Sequence, residues 1–117
     1  MPETKKKWLC VCEGGTNRSV ALALQLKQAG QDALAGSWRY NSPETFQMLV
    51  LWADYVVVMQ AEFAPILHEQ LGLSHLIGDK MRCVDVGPDV YGSGTHLGLN
   101  QFLQGVVAEW RQKSWEL

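Results

Sequence analysis

Four short apolar runs in this chain each lead into a stretch with helical spacing, and that alternation restricts the fold more than any other feature. The runs are Trp8-Leu9-Cys10-Val11, a weaker one from Asp32 to Ala35, Tyr55-Val56-Val57-Val58-Met59, and Met81 to Val86. The third is the clearest strand, because β-branched residues suit a pleated, packed surface. Helical patterns follow from Ser19 to Ala29, from Pro43 to about Ala53, from Ala61 to Leu71, and from about Leu99 to Lys113. Gly30 and Gly72 stand where helix-stopping glycines belong. Ser42 can cap the second helix, and Pro43 suits its first position. Leu103, Val107 and Trp110 share one face of the last. Strands alternating with helices predict an α/β fold, three layers α/β/α around a four-stranded parallel sheet. Right-handed crossovers place helices on both faces.

The 117 residues suit one compact domain spanning 1–117, with 1–6 as a flexible tail. Ten basic and 12 acidic residues give a formal charge of −2. No global basic field therefore points to nucleic acid, and a small anion must be held by local geometry. No apolar stretch approaches the length of a membrane span. The apolar run behind the basic N-terminus, Trp8 to Cys12, is too short for a secretory core. The expectation is a cytoplasmic protein whose three cysteines are thiols. His68, His75 and His96 form no metal-ligand spacing, and no metal or cofactor is expected.

The chemistry concentrates in Cys12-Glu13-Gly14-Gly15-Thr16-Asn17-Arg18-Ser19, between the first strand and the first helix. Two glycines let the backbone turn tightly and aim successive N–H groups inward. Such a nest, Glu13 to Asn17, binds an oxyanion, and the helix N-terminus adds partial positive charge. Arg18 can fork onto two phosphate oxygens. Cys12 lies at the base, where the donors that favour phosphate also favour a thiolate. Ser19 can donate a hydroxyl proton to that sulfur. Glu13 is expected to turn its carboxylate outward, since only its backbone needs to face the anion. These parts suit in-line attack at phosphorus through a phosphocysteine, with no metal required. An acid must protonate the leaving oxygen.

On this loop the chain resembles the low-molecular-weight protein tyrosine phosphatase family, in its small bacterial branch. The family signature, Cys-x5-Arg-Ser after the first strand, is matched by Cys12, Arg18 and Ser19. Leu34-Ala35-Gly36-Ser37-Trp38 resembles the stretch after the second strand. Trp52-Ala53-Asp54 resembles the branch's approach to the third. The acid loop has its counterpart in Asp85-Val86-Gly87-Pro88-Asp89-Val90-Tyr91-Gly92. The resemblance implies Cys12 as nucleophile, Arg18 as transition-state clamp, Ser19 as thiolate stabiliser and Asp89 as general acid. Tyr91 and Trp38 would wall the pocket. Asp85 competes for the acid role, and Val90 stands where the family has proline. The implied substrate is a phosphorylated protein or small phosphomonoester. An arsenate reductase-like thiol enzyme and a catalytically impaired oxyanion-binding module are the alternatives.

Elsewhere, Cys10 and Cys83 read as core residues, as do Trp8, Trp52 and Trp110. Trp115 reads as exposed or as a contact with another chain. Gly92-Ser93-Gly94-Thr95 reads as a flexible loop, and His96 as a residue that can line the pocket.

Overall fold

The computed structural model describes residues 5–14, 17–88 and 90–117. Its four parallel strands are β1 (Lys7–Cys12), β2 (Asp32–Ser37), β3 (Tyr55–Val58) and β4 (Met81–Cys83), in the order β2-β1-β3-β4. The helices are α1 (Arg18–Gln28), α2 (Pro43–Trp52), the single turn α3 (Phe63–Pro65), α4 (Ser74–Ile77) and α5 (Leu97–Gln112). The expected three-layer α/β/α fold is the one observed. α1 packs against α5, and α2 packs against α4. From β1 the chain crosses outward to β2, then returns over β1 to β3. The switch point therefore lies between β1 and β3, and a crevice opens at their C-terminal ends.

The central strands supply the core. Trp8 to Val11 and Val56 to Val58 are completely buried. Trp8 stacks on Tyr55 at 4.7 Å and on Trp110 at 5.1 Å, and meets Trp115 edge-on at 6.0 Å. Its indole N–H donates to Gln31 Oε1 at 3.0 Å. The same oxygen accepts from the Lys6 backbone at 2.8 Å, so the stretch expected as a tail is already anchored at Lys6. Ser42 caps α2, accepting from Thr45 N at 3.2 Å, with Pro43 behind it. Lys80 closes the other end, donating from Nζ to Val50 O at 2.5 Å and Ala53 O at 2.9 Å. A cation there also favours the helix dipole.

Several expectations are corrected. The helix expected over 61–71 is one turn, Phe63–Pro65, that widens into a π-helical turn, Ile66–Gln70. Pro65 lacks an N–H, and the chain closes through Leu71 N to Ile66 O at 2.9 Å. β4 ends at Cys83 rather than Val86, although Val84 N still donates to Val58 O at 2.9 Å and Val86 N to Met59 O at 3.1 Å. β2 extends to Ser37, since pairing with β1 overrides the poor strand propensity of Gly36. Trp115 is completely buried. Cys83 is exposed on the edge strand instead of lying in the core. Among the described residues no helix is long and apolar enough to cross a membrane.

Candidate active site

Cys12 ends β1 and is 2% exposed. Arg18 and Ser19 open α1, so a rigid strand and a rigid helix hold the three side chains. Ser19 Oγ lies 3.0 Å from Cys12 Sγ, and both are buried. Gly15 and Thr16, assigned to the cradle from sequence, lie outside the described residues. So does Asp89, the expected acid. Glu13, Gly14 and Asn17 are partly buried at the mouth of the loop.

Neighbouring strand ends brace this loop. Ser37, paired in register with Cys12, donates its hydroxyl to the Glu13 carbonyl. That hydroxyl also accepts from Tyr40 N at 2.8 Å and Arg39 N at 3.2 Å. Asn41 Oδ1 accepts from Ser37 N at 2.7 Å. Glu13 turns its carboxylate outward to Arg39, 3.3 Å away. The pair is exposed, so its role is to aim Glu13 away from the loop more than to stabilise the fold.

Arg18 is 3% exposed. Its Nη1 donates to Gln60 Oε1 at 2.7 Å and to Gly87 O at 2.8 Å. Its Cζ lies 5.4 Å from the centre of the Phe63 ring. Sequence reasoning passed over Gln60, Phe63 and Ser37. For Gln60 and Phe63 the signal was position just beyond β3, and for Ser37 its place in the family-like stretch at the end of β2.

Asp85 does not stand free as an acid. Its Oδ1 accepts from Gly87 N at 2.8 Å and its Oδ2 from Ala61 N at 3.0 Å. The Gly87 amide, then the Ala61 amide, and finally the Arg18 charge hold this carboxyl below its ordinary value of 3.8. The contribution of these bonds is full above that value and is lost only as the pH falls through the lowered one.

Trp38 and Tyr91 each line a cavity among the described residues. Trp38 packs on Phe63 at 5.7 Å and lines a cavity with Pro43, Phe46, Leu71 and Leu73. Tyr91 donates to Val86 O at 2.6 Å and lines a second cavity with Asp85, Leu99 and Phe102. His96 Nδ1 accepts from Leu99 N at 3.1 Å, so this ring caps α5. Burial, and secondarily Cys12, push the Cys10 thiol far up, which leaves it inert. Among the described residues no group of three His, Cys, Asp or Glu side chains could share a metal ion.

The glycine loop is packed more tightly than its composition suggests. Gly94 is buried, and a Cβ there would stand 2.9 Å from Val20 Cγ1 and 3.3 Å from Asn17 O. Gly94→Ala is expected to push this loop off the first turn of α1, destabilising the fold by about 1–3 kcal/mol. Thermal unfolding checks this; an unchanged melting temperature would contradict it.

No protein-family model matches the chain, and no curated protein sequence matches it. The fold itself is that of the low-molecular-weight phosphatases. Arginine phosphatase YwlE from Geobacillus stearothermophilus is similar at TM-score 0.68 and 14% identity, over 92% of each chain. YfkJ from Bacillus subtilis is similar at TM-score 0.62 and 17% identity, over 97% of this chain and 99% of its own. A further YwlE structure, at TM-score 0.58 and 18% identity, covers 90% of this chain and 95% of its own. It carries a serine in place of the active-site cysteine, and that serine is phosphorylated.

Proposed function

We propose that this chain is a cysteine-dependent phosphomonoester hydrolase of the tyrosine phosphatase type. The observation that carries the reading is the 3.0 Å contact between Cys12 Sγ and Ser19 Oγ at the start of α1, beside the buried Arg18. Ser19 donates to the sulfur and favours its thiolate form. The thiolate attacks phosphorus in line, forming an S–P bond as the bond to the leaving oxygen breaks. Asp89 gives that oxygen its proton. The cradle of Glu13, Gly14, Gly15, Thr16 and Asn17 and the Arg18 fork hold the equatorial oxygens, whose charge they are placed to stabilise. Water then cleaves the S–P bond, Asp89 takes its proton, and orthophosphate leaves with the thiolate restored. The phosphorylated serine in a neighbouring structure supports a covalent phosphoenzyme here.

The test is hydrolysis of an aryl phosphate, with Cys12→Ser as control. Turnover that persists in the Cys12→Ser variant would sink the proposal. YwlE is an arginine phosphatase, so a phosphoarginine substrate belongs beside the phosphotyrosine one in that assay. A second outcome separates the two aspartates. Asp85 is already ionised, so Asp85→Asn is expected to keep the alkaline fall in the pH profile of kcat/KM, whereas Asp89→Asn removes it. Loss of that fall in Asp85→Asn would transfer the acid role to Asp85.

A further inference from the structure

We infer that Gln60 and Asp85 are positioning residues that orient the Arg18 guanidinium for an oxyanion, an inference that rests on the phosphatase reading above. A guanidinium is planar, and its Nε and Nη2 lie on one edge. That edge makes the two parallel bonds that suit a tetrahedral oxyanion. In this chain the other nitrogen, Nη1, is occupied twice, by Gln60 Oε1 and Gly87 O. Two acceptors on one terminal nitrogen stop the fork from swinging. Its Cζ sits over the Phe63 ring, 5.4 Å from the ring centre. Meanwhile Nε is buried with no hydrogen-bond partner among the described residues. A buried cationic donor left unpaired is costly, and a bound oxyanion would satisfy it.

The two acceptors are themselves held in place. Gly87 has φ +74°, in the left-handed region that glycine tolerates. Asp85 accepts from the Gly87 amide inside this turn, and the Gly87 carbonyl accepts from Arg18 Nη1. The second Asp85 oxygen accepts from Ala61 N, the residue after Gln60. One carboxylate thus ties the loop after β3 to the loop after β4, and each loop contributes one acceptor for Nη1.

The experiment measures orthovanadate binding and aryl phosphate kinetics on the full chain and on its Gln60→Leu and Asp85→Ala variants. NMR follows the side-chain N–H signals of Arg18 in parallel. Both variants are expected to bind vanadate about 10- to 100-fold more weakly, as loss of a hydrogen bond to a charged group implies. kcat should fall by a similar factor while KM changes little, and the Arg18 Nη signals should average as rotation is freed. Gln60→Leu removes one acceptor without touching the loop backbone, so it carries the test if Asp85→Ala does not fold. Wild-type vanadate binding that survives the substitutions overturns the inference alone. A wild-type chain that neither binds vanadate nor turns over overturns the phosphatase reading and this inference with it.

Discussion

Arg18→Lys is expected to lower kcat on an aryl phosphate by about 10²–10³-fold, the loss typical of removing a transition-state donor. The substitution keeps the positive charge and removes the fork. Nη1 now holds Gln60 and Gly87 together across the crevice. A lysine ammonium is a point charge, so it cannot serve those two acceptors and present a flat edge to phosphate as well. The substitution would also remove the guanidinium carbon that lies over the Phe63 ring. The effect should fall on kcat more than on KM, because charge on the equatorial oxygens is greatest in transfer. Steady-state kinetics with a melting curve on the same sample checks this. A folded Arg18→Lys enzyme with near wild-type kcat would remove Arg18 from the chemistry.

The largest expected effect on stability lies at the opposite end of the sheet. Trp115→Ala should destabilise the fold by about 3–5 kcal/mol, the usual range for truncating a buried tryptophan. Trp115 is completely buried and packs edge-on against Trp8. To reach that position the chain leaves α5 and turns through Ser114 and Trp115, with φ of 54° and 65°. Side chains seldom adopt such values, so burial of the indole must offset the strain. Beyond it, Leu117 N donates to the Tyr55 hydroxyl at 3.2 Å, and Arg82 Nη2 donates to Leu117 O at 2.6 Å. Denaturant unfolding measures the loss. A Trp115→Ala chain within 1 kcal/mol of wild type, where ordinary surface substitutions fall, would contradict this account of the core.

The layer architecture was legible because hydrophobic periodicity separates the segments that form strands from those that form helices. Tyr55 to Val58 read as the clearest strand because its residues are β-branched or aromatic. The place of the Cys12–Arg18 loop between strand and helix was legible for a related reason, since that pattern is local. What escaped the sequence depends on long-range contact. Trp115 lies past the end of a helix, and no periodicity says that the chain doubles back there. Ser37 at the end of β2 and Gln60 just after β3 reach the site from neighbouring strands, so only the β2-β1-β3-β4 order shows why they matter. Asp85 could be an acid or a local hydrogen-bond acceptor on paper. In the structure it accepts from two backbone amides, those of Gly87 and Ala61. Pro65 was visible, but its conversion of a regular helix into a π turn follows from the bonds that the chain makes around it.

The central claim is that Cys12 itself receives the phosphoryl group. Acid-quenching the enzyme during turnover of an aryl phosphate, followed by peptide mass spectrometry, tests it most directly. The account predicts one added phosphoryl group on the peptide that contains Cys12, absent from the Cys12→Ala variant. Turnover with that peptide unmodified, or with the phosphoryl group on another residue, would contradict it.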